Sequence, residues 1–204
     1  MGLLSNSVSI TQYRVGGKIK DPVMKTVRDA LIKNTIDEID NETSEQIIGW
    51  TTFENPFTPN FDRADILINT TFVFSLRIDK KSIPGKVVNK HLNLEMAKRL
   101  SESNRDFLSR AEKKELKEQV INNLSARIPA TPNIFDLTWD YEAGRLWFYT
   151  NLKSANEALE TLFSQSFKLS LIRLFPYTAA EHNANLTGPE KDHLSQLKPT
   201  LFME

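Results

Sequence analysis

Apolar and polar positions alternate from Val8 through Ser9, Ile10 and Thr11 toward Tyr13 and Val15, and this period of two predicts a strand. The period then lengthens. After Asp21-Pro22 the apolar positions Val23, Val27, Ala30 and Leu31 fall on one helical face, with the proline placed where its missing N–H costs nothing. A polar, acidic loop over 37–45 leads to a strand at Ile47–Phe53. Pro56, Pro59 and two phenylalanines make Asn55–Asp65 a loop, and strands follow near Ile66–Ile68 and Phe72–Ile78. The order to this point is strand, helix, strand, strand.

The middle of the chain has helical periodicity. Beyond Pro84-Gly85 a helix is predicted from about Lys86 to Leu100, burying Val88, Leu92 and Met96 at i+4 spacing. Ser109 and Glu112 form a capping box for a second helix with the apolar stripe Leu108, Ala111, Leu116, Val120 and Leu124, ended by Pro129 and Pro132. Strands return at Ile134–Tyr141 and Arg145–Thr150 around a turn at Gly144. A further capping box, Ser154 with Glu157, opens a helix through about Phe163, and a strand lies near Leu169–Leu174. The rest is polar, with a short capped helix near Thr187–Glu190.

These elements predict an α+β fold, a mixed sheet built from two similar strand/helix halves with an inserted α-helical hairpin. The expected organisation is a discontinuous core over 1–79 and 128–175, an insertion over 80–127, and a tail over 176–204.

Composition changes this picture little, but the distribution of charge changes it considerably. Lys and Arg number 26, as do Asp and Glu, so the net charge is zero and gives no hint of a polyanionic partner. Residues 80–127, however, hold twelve basic and six acidic residues, a surplus of six, balanced by an equal acidic surplus elsewhere. Basic residues clustered on a helical hairpin suit phosphate pairing and counterion release, the physics of DNA binding without sequence preference. They also suit a merely solvated helix face.

Enzymatic signals are sparse. With no cysteine there are no disulfides, thiolate metal sites or cysteine nucleophiles. His91, His182 and His193 are scattered, and no glycine-rich phosphate loop occurs among seven glycines. A metal nuclease needs clustered carboxylates; the nearest candidates are Asp62 with Asp65, and Glu115-Leu116-Lys117. Trp50, Trp139, Trp147 and Phe148 lie on predicted strands, where core packing is favoured over base stacking. Trp139 and Trp147 flank the Gly144 turn, where they either share a face or pack inward. No stretch approaches the roughly 18–20 apolar residues that span a bilayer, and the N-terminus has no basic leader, so a cytoplasmic protein is expected.

From about Gly49-Trp50 to Pro176 the order of motifs resembles the RdgC family of recombination-associated DNA-binding proteins. The resemblance is carried by Pro84, Val87 and Leu92, by Leu108, Glu112, Lys113, Leu116, Lys117 and Val120, then by Arg127, Trp139-Asp140 and the Gly144 turn. It continues through Ser154-Ala155, Ala158 and Thr161-Leu162. It implies a nucleoid-associated homodimer that encircles duplex DNA with little sequence preference and restrains RecA-promoted recombination. Two departures stand beside it. Family members continue into another C-terminal domain, whereas this sequence stops at Glu204, and the family's basic, aromatic-bearing loop after the second helix is here Arg127-Ile128-Pro129-Ala130-Thr131-Pro132.

The expected function is therefore non-sequence-specific binding of double-stranded DNA, with Lys86, Lys90, Arg110, Lys113, Lys114, Lys117 and Arg127 contacting phosphates. No catalysis, cofactor, metal, membrane or small-molecule substrate is expected. Two alternatives remain open: an interaction module that docks a protein on the hairpin, and a metal-dependent exonuclease.

Overall fold

The computed structural model describes residues 2–40, 42–183 and 186–197. In chain order the elements are β1 (Thr11–Gly16), α1 (Val23–Lys33), β2 (Gln46–Thr51), β3 (Leu67–Ile68), β4 (Thr71–Lys80), α2 (Gly85–Ser103) and α3 (Arg110–Ser125). They continue as β5 (Thr131–Asp140), β6 (Arg145–Phe148), α4 (Lys153–Phe167), β7 (Ser170–Arg173), α5 (Pro176–Asn183) and α6 (Gly188–Gln196). This is an α+β fold. The sheet order is β2-β4-β5-β6-β1-β7, with β3 on β4. The ladders β1–β6, β1–β7, β2–β4, β3–β4 and β5–β6 are all antiparallel, and an isolated parallel bridge joins Thr35 to Trp50.

The chain forms two compact units. The first comprises Met1–Ala30, Asp65–Phe74 and Phe135–Glu204. Its core follows from strand alternation: Tyr13 pairs with Leu146, Leu146 with Trp139, and Leu137 with Phe148, so all five side chains share one face. None of the five exceeds 1% exposure. Helix α4 covers this face with Ala155, Ala158, Leu159, Leu162 and Phe163, all buried. The Trp139 ring meets Phe163 edge-on at 5.0 Å, and Phe163 meets Phe167 at 4.7 Å, within the range where aromatic pairs attract beyond their area burial.

Three sequence expectations are corrected in this unit. The first strand begins at Thr11, not Val8, and Val8 and Ile10 are exposed. Ser154 does not cap α4: the helix starts two residues earlier than that cap implies, at Lys153 with Leu152 as N-cap, and Glu157 pairs instead with Lys153 one turn back at 3.8 Å. The role of organiser passes to Asn156, whose Nδ2 donates to the Leu152 carbonyl at 2.8 Å. The segment from Pro176, read as featureless until Thr187, contains α5; Thr178 stabilises its start by accepting the Phe175 N–H at 2.7 Å. The last helix begins as expected. The Glu190 carboxylate accepts both the Thr187 N–H, at 2.8 Å, and its hydroxyl, at 2.7 Å.

The second unit comprises Leu31–Ala64 and Ser75–Ile134. Here β2 pairs with the later half of β4, placing Trp50 opposite Leu76, and both are fully buried. Gly49 is required where it stands, because a Cβ there would lie 2.5 Å from the Ile36 Cα, a backbone atom that has no room to yield. The Asn55–Asp65 segment is a loop that places its two phenylalanines differently. Phe61 is buried, while Phe57 is exposed beneath the Arg77 guanidinium at 5.5 Å.

The helical hairpin also belongs to the second unit. Helix α2 ends at Asn104 in the left-handed conformation, and α3 opens with the expected capping box. In that box the Glu112 N–H donates to Ser109 Oγ at 3.2 Å, and the Ser109 N–H donates to Glu112 Oε2 at 2.8 Å. Val88, Leu108, Leu116 and Val120 are buried. Leu92, Met96 and Leu124 are only half-buried, and Ala111 is exposed, which removes it from the expected stripe.

Candidate nucleic-acid interface

All seven predicted DNA contacts, Lys86, Lys90, Arg110, Lys113, Lys114, Lys117 and Arg127, are exposed and lie on or directly after the hairpin helices. The structure sorts them into two groups. Arg110, Lys113, Lys114 and Lys117 occupy the first two turns of α3, where Lys113 and Lys117 stand one turn apart on the same face. Lys86 and Lys90 open α2, and Arg127 follows the end of α3, so these three mark the base of the hairpin.

Neighbouring acids decide how much of this charge is available. Glu112 is committed to the cap and to Arg105, which donates to it at 3.0 Å. The Ser109 N–H, the Ser109 hydroxyl and the Arg105 charge together hold its carboxyl below the ordinary glutamate value. Lys114 reaches Glu118 at 3.9 Å with both side chains largely in water, a contact that screening makes weak. Arg127 shares a cleft of about 110 Å³ between the two helices with His91, Glu95, Val120, Asn123 and Leu124.

One cation of the basic segment is withdrawn from any ligand. Lys81 is 5% exposed, and its Nζ donates to the carbonyls of Asp40 (3.0 Å), Glu42 (2.7 Å) and Ser125 (2.8 Å). Asp40 Oδ1 in turn accepts the Ala130 N–H at 2.8 Å. Although it falls within the basic stretch 80–127, Lys81 adds nothing to the cationic surface and instead anchors the base of the hairpin. A lysine immediately after a buried strand was its only sequence signal.

The aromatic candidates divide as well. Trp50, Trp139 and Phe148 are core residues. Trp147 is half-buried and, being paired with Thr138 rather than Trp139, lies on the opposite sheet face from Trp139. The two therefore do not share a face.

For hydrolytic chemistry, Asp62 and Asp65 are exposed loop residues, and Glu115 lies exposed on α3, where its carboxylate accepts from Gln119 at 3.3 Å. Among the described residues no three His, Asp or Glu side chains come together as a group able to hold a metal ion. Among the same residues, no helix is long and apolar enough to cross a membrane. Arg14 and Arg145 are distant in the chain and become cross-strand neighbours only through the β1–β6 register.

A family model described as "Putative exonuclease, RdgC" matches residues 9–188. No curated protein matches the chain. The family match spans most of the sequence, including every element from β1 to α5 and the whole hairpin. The chain belongs to the RdgC family of recombination-associated proteins.

Proposed function

We propose that this protein binds double-stranded DNA without reading its sequence, as a homodimer associated with the nucleoid, and so modulates RecA-type recombination. The supporting observation is the group of exposed cations on α3, Arg110, Lys113, Lys114 and Lys117, which has few carboxylates paired against it. Phosphate contacts of this kind release counterions and are indifferent to base identity. Lys86, Lys90 and Arg127 extend the contact toward the hairpin base. In this reading the protein is a binder rather than an enzyme.

The test is a titration of two unrelated duplexes of equal length at two salt concentrations. Affinity should fall steeply with salt and be nearly equal for the two sequences. A flat salt response, or a marked preference for one duplex, would refute the proposal. The family's description favours one second reading, a metal-dependent exonuclease. Incubating labelled DNA with Mg²⁺ or Mn²⁺ separates the two, because binding alone leaves the DNA intact, whereas turnover abolished by changing Asp62 or Asp65 would establish the nuclease.

A further inference from the structure

Among the described residues, Trp139 Nε1 is the only buried side-chain nitrogen or oxygen without a hydrogen-bond partner. The ring itself is well held, with Phe163 and Phe167 packed against it, so the orphan is the N–H alone. A buried donor that has given up water and gained nothing in return weakens a fold, and native proteins leave few of them. The surroundings of Trp139 supply a reason to keep this one.

Trp139 lines a pocket of about 390 Å³ in the first unit, within the roughly 300–1,000 Å³ of small-molecule sites. No small-molecule ligand is expected from the sequence, because the pocket is assembled from segments distant in the chain: the end of β1 with the residues after it, the β5–β6 turn, and Leu169 before β7. Gly17, at φ 103°, turns the chain out of β1 into the first of these walls. The interior is apolar and aromatic. Val15, Ile19, Val23 and Tyr141 are half-buried in it, and Leu169, like Trp139, is buried. The charged lining residues, Arg14, Lys18 and Glu142, are exposed and mark the rim. Neither cation joins the ion pairs found among the described residues. Glu142 Oε1 accepts the Tyr141 hydroxyl at 3.3 Å. Both signs of charge thus stand at the mouth of an apolar interior whose wall holds an unmet donor.

We infer that this pocket binds a free aromatic amino acid bearing a ring hydroxyl, of the tyrosine type. Its carboxylate lies at Arg14 and Lys18, its ammonium at Glu142, and its ring among Val15, Ile19 and Val23. Its hydroxyl oxygen accepts the Trp139 N–H and donates its own proton to a backbone carbonyl in the wall after β1. The occupant follows from what each alternative leaves unmet. An acid without an amine places its charge beside Glu142, and an amine without a carboxylate places its own beside two cations. A purely apolar ring leaves the Trp139 N–H without an acceptor. A phenol fills apolar space and accepts a hydrogen bond at its tip. The pocket uses no residue of the hairpin.

The experiment titrates the isotope-labelled full chain with tyrosine, phenylalanine, tyramine and hydroxyphenylpropionate, and follows the indole N–H resonances by NMR. The Trp139 signal is assigned by its loss in Trp139→Phe. Tyrosine should move that signal saturably. Phenylalanine, tyramine and hydroxyphenylpropionate should each bind about ten-fold or more weakly, since each leaves one group of the site unpaired. Trp139→Phe should bind tyrosine and phenylalanine alike. The double variant Arg14→Gln/Lys18→Gln should lose about ten-fold or more in tyrosine affinity. That variant changes exposed side chains only, so it decides the question even if Trp139→Phe is poorly folded by circular dichroism. Three results would each overturn the inference: a Trp139 signal unmoved by tyrosine, which leaves its N–H to water alone; phenylalanine bound as tightly as tyrosine by the parent; or undiminished tyrosine affinity in the rim variant.

Discussion

Lys81 Nζ donates to the backbone carbonyl of Ser125, the last residue of α3, at 2.8 Å. The contact ties the residue that follows β4 to the C-terminal end of α3, at the base of the hairpin. It also sets a positive charge against the C-terminal carbonyls of a helix, where the helix dipole is negative. With the Asp40 and Glu42 carbonyls, all three ammonium protons have acceptors.

Removing that charge should therefore loosen the hairpin at its base. Lys81→Met keeps much of the aliphatic stem but leaves three carbonyls without their donor. A loss of about 2–4 kcal/mol is expected from urea unfolding, with a lower midpoint and an unchanged slope. A midpoint equal to the parent's would show that the three bonds contribute nothing net.

A second buried charge can be tested in the same unit. Arg77 and Asp79 form a two-pronged ion pair, Nε to Oδ1 at 2.8 Å and the second prong at 2.5 Å, with side chains 9% and 3% exposed. Asp79→Ala would leave a buried guanidinium with the Pro56 carbonyl at 3.3 Å and the Phe57 ring as its main compensation. The expected cost is about 3–5 kcal/mol, whereas replacing both partners with apolar residues of similar volume should cost much less. Chemical denaturation of the single and double variants measures the difference.

The capping box makes α3 sensitive to acid. The folded-state pKa of Glu112 is depressed, chiefly by the Ser109 N–H and hydroxyl. A group of this kind adds stability above its unfolded pKa, and that stability is lost as pH falls through its lower, folded pKa. Ser109→Ala should cost about 1 kcal/mol at neutral pH. It should also flatten the pH dependence of stability on the acid side of the ordinary glutamate value. Unfolding curves from neutral to acidic pH would show both effects; a pH dependence identical to the parent's would contradict them.

On the proposed DNA surface, changing Lys113 and Lys117 together to Glu should shift stability by about 0.5 kcal/mol or less, since both are exposed. Duplex affinity should fall strongly, and the salt slope should drop by about one unit or more for each lost phosphate contact. Leu116→Ala, by contrast, removes a side chain that is 4% exposed and should cost on the order of 2–5 kcal/mol without changing the salt slope. Thermal unfolding and binding isotherms on the same samples separate the two roles.

Features that act over a few residues are written in the chain. Alternation in the strands, the Ser109–Glu112 box, the Thr187–Glu190 contact and the order of all elements up to β7 were legible, because each depends on neighbours within one or two turns. The exposure of the seven hairpin cations was legible for the same reason, since charged side chains on an amphipathic helix face water. Even locally there were errors. Ser154 has the spacing of a cap yet lies inside α4, because the helix starts at Lys153.

Which charges are neutralised and which stay open depends on contacts between distant segments. Lys80 and Lys81 are adjacent, yet one is exposed and the other is enclosed by carbonyls from two distant segments. Trp139 and Trp147 flank one turn, yet the register places them on opposite faces. Arg14 and Arg145 lie across from one another only because β1 pairs with β6 in one register, and a slip of either strand by a single residue would send that strand's arginine to the buried face. Desolvation and cross-strand proximity are properties of pairs brought together by the fold, so no window along the chain contains them.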